Sequence, residues 1–172
     1  MFVKDLIVAT KAMRSLLIGA IMLFAQTMAP FAKAEETLGL ARLAKQPGTE
    51  RCLALALYWE ARAEGRDGMV AVAWAIVNRV RHHAFPDTIC AVVKEGGESP
   101  PCQFSWWCDG KSDMPSDARA WRAAEQTARR FLHAAPPDPT GGALFFHHTA
   151  LLPPWKIKRL RTAIIGRHAY YR

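Results

Sequence analysis

The chain is poor in the patterns that announce a metal site. None of its four cysteines forms a CxxC pair, so the ligand spacing of a structural zinc site is missing. There is no HExxH run, and the adjacent His147 and His148 fall on a strand-like stretch, where neighbours point to opposite faces and cannot serve one metal from one side. Both observations argue against a zinc peptidase or amidase, and no cofactor is expected. Repeats and low-complexity segments are absent, as is any nucleic-acid recognition motif, so solenoids, arrays and nucleic-acid partners are set aside. Long apolar runs are also scarce. The only candidate, Leu16 to Met28, is shorter than the ~20 residues a membrane span needs, is interrupted by Gln26 and Thr27, and is followed by Pro30.

That stretch fits a different purpose. Lys4, Lys11 and Arg14 precede it and Ala32-Lys33-Ala34 follows as a small-x-small cleavage site. Charge, apolar core and cleavage site in this order read as a secretory signal peptide over residues 1–34. The membrane is then met only transiently through this leader, and the mature chain is exported to the periplasm or cell envelope. What remains is one domain's worth of residues. The full chain carries +8, and it stays basic when the leader's four cations and Asp5 are removed. A basic exported protein suits a polyanionic envelope surface, although solubility alone accounts for the charge equally well. Cys52, Cys90, Cys102 and Cys108 all lie in the mature part, and an even count in an oxidising compartment favours disulfides. Three pairings are possible and the sequence does not select among them. The preferred one closes a short loop with Cys102–Cys108 and joins Cys52 to Cys90.

Residues 35–48 read as a mobile lead-in. A helix is expected from Glu50 to about Ala63, capped by Thr49 and ended by Gly65, and a second from Asp67 to about His82. Both are apolar nearly all round, which marks central helices, and the short link makes them antiparallel neighbours. A short segment around Ala91-Val92-Val93 follows a loop. A third helix runs from Asp117 to His133, capped near Ser116, with Trp121, Ala124, Ala128, Phe131 and Leu132 toward the core. "ALFFHHT" has the aromatic character of a short strand, and the basic tail closes the domain. Helices dominate and strands are few, so residues 49–172 form a mainly helical α+β domain.

The chemistry concentrates in "LYWEARAEG". On a helix, Leu53, Leu57, Glu60 and Glu64 share one face. Among Leu57, Tyr58, Trp59 and Ala61, Glu60 loses hydration, and its pKa is expected to rise. A carboxylic acid still protonated near neutral pH can protonate the leaving oxygen of a glycosidic bond. The competing reading is a structural Glu paired with Arg62 or Arg79. Glu64, at the helix end, is expected to be wetter; it can orient Glu60, bind sugar hydroxyls or simply solvate the turn. Asn78 and Arg79 intrude into the second apolar helix and suit a satisfied core as well as a site. "QFSWWCDG" gathers Gln103, Phe104, Ser105, Trp106 and Asp109 into a loop whose aromatic faces and polar groups suit a saccharide cleft, with Phe104 and one Trp as candidates for plain core. One of the two adjacent histidines, His147, can line that cleft. His133 and His168 read as structural.

Taken together, "ALYWEARAEGRDGMVAVAWAIVNRV", "FPDTICAVV", "CQFSWWCDG", "DPTGGALFFHH" and "IGRHAYY" resemble, in order and spacing, the SleB-type cell wall hydrolases, relatives of spore-cortex-lytic enzymes. The resemblance spans about residues 52 to 171. It implies a lysozyme-like α+β catalytic domain acting on peptidoglycan glycan strands, between N-acetylmuramic acid and N-acetylglucosamine, to leave a 1,6-anhydro end. It also implies that Glu60, the first acid of "EARAE", is the catalytic residue, and that Tyr170 in the closing block joins the substrate-binding set. This chain has Ala63 where the family usually has Gly, which makes the turn less flexible. It carries no recognisable peptidoglycan-binding repeat, so targeting is expected to come from the domain itself.

Overall fold

Nearly every position of the two central helices is apolar, and the structure buries them accordingly. The computed structural model describes residues 35 and 37–172; the leader expected over residues 1–34 lies outside the described residues. Two units are distinguished, Met1–Gly39 and Leu40–Arg172. In the first, residues 37–39 are helical.

Helix α1 (Thr49–Ala61) buries Leu53, Ala54, Ala56, Leu57, Tyr58 and Ala61, and helix α2 (Gly65–Val80) buries every residue from Gly68 to Val77. Each helix begins earlier than its sequence suggests. Gly48, not Thr49, sits at the N-cap of α1, with φ 74°, a left-handed conformation in which glycine carries no Cβ penalty. Thr49 is the first helical residue, and no side chain caps the helix. Gly65 does not terminate α1 but opens α2, leaving Arg62, Ala63 and Glu64 as the whole connection.

Helix α3 (Ile89–Val93) is capped by Thr88, whose Oγ1 accepts from Ala91 N at 3.1 Å. Helix α4 (Ala118–Ala134) is capped one residue later than expected, by Asp117, which accepts from Arg119 N and Ala120 N at 2.9 and 3.0 Å. A carboxylate outreaches the neighbouring serine hydroxyl and also favours the positive end of the helix dipole. Ala124, Thr127, Ala128, Phe131 and Leu132 on α4 close over the hairpin. Both preferred disulfides are present: Cys52–Cys90 ties α1 to α3, and Cys102–Cys108 closes the aromatic loop.

The basic tail does more than close the domain. Strand β1 (Phe145–His148) is joined by β2 (Arg161–Ile165) and β3 (His168–Tyr171) in a three-stranded antiparallel sheet of order β1-β3-β2. All four residues of the central strand are buried. Ala71 and Ala75 of α2 are small enough for Tyr170 to pack directly on the helix, with Ala143 beside it. This contact sets the sheet against the α1–α2 hairpin. The 35–48 stretch departs from the mobile lead-in expected of it: residues 40–44 are helical, and Leu40 and Leu43 join the core at 3 % and 8 % exposure.

Candidate active site

Glu60 occupies the last turn of α1, where the all-apolar run ends. The residues before it hold the surrounding loops. The Tyr58 hydroxyl accepts from Ser116 N and Asp117 N, both at 3.1 Å, and the Trp59 indole donates to Asp113 O at 3.3 Å. Trp59 also stacks on Trp106, with ring centroids 6.4 Å apart and planes 21° from parallel, and Trp106 leans on Phe104. The short loop closed by Cys102–Cys108 thereby delivers an aromatic wall beside the turn that carries Glu60.

Burial pushes the Glu60 carboxyl up to about 7, with the Trp106 indole and the Arg79 guanidinium each pulling it part of the way back. Trp106 Nε1 is itself buried without a hydrogen bond of ordinary geometry. Arg79, buried to 2 % exposure, does not simply neutralise Glu60. Its Nε donates to Leu144 O at 2.7 Å, and its terminal nitrogens reach the Gln103 amide oxygen at 3.2 Å with that amide turned oxygen-inward. The guanidinium lies among the rings of Phe85, Phe104 and Phe146, 5.4 to 5.9 Å from their centroids. Burial brings its pKa down to about 10, opposed by Glu95 and Glu60, so it remains a cation throughout the neutral range.

Glu64 corrects an expectation. It is not a wet residue at a helix end: its side chain is 6 % exposed and clasped to the β2–β3 turn. Oε2 accepts from Arg167 N at 2.8 Å, and Oε1 accepts from Arg167 Nε at 2.9 Å and pairs with its terminal nitrogen at 2.8 Å. The Arg167 backbone N–H is the main cause of its lowered pKa. Two glycines make room for it. A Cβ at Gly68 would run into Glu64 Cβ, and one at Gly166 into Glu64 Oε2. Gly166 also has φ 55°. Gly166→Ala is therefore expected to open the clasp and cost about 2–3 kcal/mol in urea or thermal unfolding.

Tyr170 lies near enough to both glutamates to feel their charges. It is fully buried, its hydroxyl meets no hydrogen-bonding partner among the described residues, and burial together with the charges of Glu64 and Glu60 raises its pKa. His168, two residues earlier on the same face of β3, is buried beside Glu64 and stacks edge-on against Phe146 and His148. The structure thus brings Glu60, Glu64, Phe104, Trp106 and Tyr170 together, with Arg79 and His168 added. Arg79 is ambiguous in the sequence, its signal being a charged residue inside an otherwise apolar helix, and His168 reads there as structural.

The remaining candidates have other engagements. Gln103 is committed to Arg79. Ser105 is exposed at the start of a 3₁₀ turn, Ser105–Trp107. Asp109 orders its own loop, accepting from Lys111 N at 2.9 Å and facing Lys111 Nζ at 3.7 Å. His147 sits with Phe145 on the face of β1 opposite Phe146, where its ring nitrogens meet His148 O at 2.9 Å and the Tyr171 hydroxyl at 3.0 Å. Asn78 turns away from the hairpin toward Asp138 and Ala143 O. Two concavities, one around Thr49, Arg51 and Trp121 and one around Asn78, His82 and Arg172, lie away from Glu60. Among the described residues, no group of three or more His, Cys, Asp or Glu is placed to hold a metal ion.

The chain is similar to known proteins in sequence and in fold. The spore cortex-lytic enzyme of Halalkalibacterium halodurans is 34 % identical over 119 residues, covering 69 % of this chain and 33 % of that protein. The chain thus spans about a third of the length of the curated relatives it matches first. The crystal structure of the catalytic domain of the Bacillus cereus SleB protein aligns with a TM-score of 0.56 at 29 % identity, covering 74 % of this chain and 91 % of that one. The catalytic domain of the germination-specific lytic transglycosylase SleB from Bacillus anthracis aligns with a TM-score of 0.57, also at 29 % identity, covering 74 % and 96 %. These likenesses bear out the lysozyme-like α+β expectation. A family model described as Cell Wall Hydrolase matches residues 63–171, a stretch that contains Glu64 and begins three residues after Glu60. Because that model matches well over half of the chain, the protein belongs to the cell wall hydrolase family.

Proposed function

We propose that this chain is an exported enzyme that cuts peptidoglycan glycan strands between N-acetylmuramic acid and N-acetylglucosamine as a lytic transglycosylase, with Glu60 as general acid and then base. The observation that carries this reading is the Glu60 carboxyl, raised to about 7 by burial against an aromatic wall. In the first step the protonated carboxyl gives its proton to the bridging oxygen and the bond to muramic C1 breaks. In the second, the carboxylate takes the proton from the C6 hydroxyl as that oxygen closes on C1. No water is consumed, and a 1,6-anhydro end is left. Glu64 does not compete for the role, because it already accepts three hydrogen bonds or ion contacts from Arg167 and its pKa is lowered.

A water-using muramidase or glucosaminidase on the same site needs a second carboxylate across the sugar, ~5 Å or ~6.5–9.5 Å from the first. Glu64 is clasped and Asp109 is held by its own loop, which favours the one-carboxylate route. The likeness to the Bacillus anthracis protein, described as a lytic transglycosylase, supports the same choice. A non-catalytic wall-binding domain would sediment with sacculi without releasing muropeptides.

Mass spectrometry of fragments released from purified sacculi tests the reading: anhydro ends are lighter than reducing ends by one water. Reducing ends alone would establish the hydrolytic alternative. The rate should also fall as pH rises through about 7, because the first step uses the protonated form of Glu60.

A further inference from the structure

Five of the seven large apolar side chains left exposed on the described residues fall in one stretch: Leu151, Leu152, Ile157, Leu160 and Ile164, each 57 to 80 % exposed. The same stretch carries Lys156, Lys158, Arg159 and Arg161, and no Asp or Glu occurs anywhere after Asp138. A stretch of exposed aliphatic side chains set among cations marks an interaction surface. The local structure explains why these side chains point outward. Trp155 faces inward, packing edge-on against Tyr171 and His147, and the Arg159 guanidinium lies 3.7 Å above the Phe145 ring. With those two residues holding the inner side, the 3₁₀ turn Pro154–Lys158 turns Ile157 and Lys158 toward solvent. Leu160 exchanges both backbone hydrogen bonds with Arg172, which fixes the stretch to the sheet where β2 forms an edge.

We propose that residues 151–164 dock the enzyme onto the surface of an acidic phospholipid bilayer, the aliphatic side chains entering the headgroup–acyl boundary and the cations meeting lipid phosphates. The two components of the patch suit such a surface together, since apolar insertion and attraction to anionic headgroups add. Glycan strands fit less well, because sugars are met by aromatic faces and polar groups and the outward side chains here are aliphatic. A second copy of the chain also fits poorly: an isologous contact would press two clusters of Lys and Arg together with no acid to offset them. No helix among the described residues is long and apolar enough to cross a membrane, so the contact lies on the surface. This goes beyond the expectation that the membrane is met only through the leader. It would hold the enzyme at the inner boundary of the wall it cuts.

Flotation with vesicles of equal parts phosphatidylglycerol and phosphatidylcholine, against pure phosphatidylcholine vesicles, tests the proposal. The full chain is used, with wild type and variants differing only in this stretch, so that the leader contributes equally to all. Wild type should partition preferentially to the acidic vesicles. Lys156→Gln/Lys158→Gln and Leu152→Ser/Ile157→Ser should each lower that partition about tenfold or more, with circular dichroism and muropeptide release from membrane-free sacculi unchanged. Equal partition of wild type and variants, no preference for the acidic lipid, or loss of sacculus binding or self-association in the variants without loss of vesicle binding would overturn it.

Discussion

Glu60→Gln is expected to remain folded and to release soluble muropeptides from purified sacculi about 10²- to 10⁴-fold more slowly than wild type. The amide keeps the shape of the side chain but has no acidic proton to give and cannot take one back. The same variant is expected to gain stability above neutral pH. Glu60 titrates near 7 in the fold and near 4.5 when unfolded, so between those values the native state binds the extra proton. Native stability therefore falls as pH rises from about 4.5 to about 7, by on the order of 3 kcal/mol. The substituted amide never charges, so the difference between variant and wild type should grow across this window and be flat above it. A variant that is nearly inactive and more stable at pH 8 separates a catalytic carboxyl from a structural ion pair, whose loss would destabilise. Wild-type activity in Glu60→Gln would end the assignment. Glu64→Gln should lose less activity, because its effect passes through the clasp with Arg167.

Arg79→Ala is expected to cost about 3–5 kcal/mol in denaturant unfolding. The substitution removes a buried side chain packed among three phenylalanine rings and leaves the half-buried Leu144 O and Gln103 amide oxygen without their donor. These two acceptors belong to the start of β1 and to the aromatic loop, so the loss should appear as a coupled loosening of both. Arg79→Lys should recover part of the stability, since a single ammonium cannot reproduce the planar contact with two acceptors and three rings. In Arg79→Met, the Glu60 carboxyl loses the charge that holds its pKa down, and the alkaline fall in rate should move to higher pH. An unchanged rate profile in a folded Arg79→Met would detach Arg79 from the site.

The sequence revealed most where a single local rule governs. The α1–α2 hairpin was legible because nearly every position in two helical lengths is apolar, and α4 because its apolar spacing is clear. The raised pKa of Glu60 follows from its position at the end of such a run. What was not legible depends on partners distant in the chain. Glu64 looks solvated beside Gly65, yet it is dry because a turn a hundred residues later closes on it. Thr49 has the right chemistry for a cap, but the chain enters through a left-handed Gly48. The strands β2 and β3 were hidden because their burial comes from Ala71 and Ala75 across the interface and not from alternation within their own residues. Composition suggests the cleft for His147, while the pleat of β1 puts it on the other side.

The Arg167–Glu64 clasp spans 103 positions of sequence, and this separation orders events during synthesis. Glu60 and its helix leave the ribosome long before the last hairpin does. Until that final segment has been made and has docked, Tyr170 is not beside the glutamates and the dehydrating shell around the acid is unfinished. A nascent chain that stops short of this hairpin therefore lacks the clasp, and the chemistry proposed for Glu60 has to wait until β2 and β3 have docked.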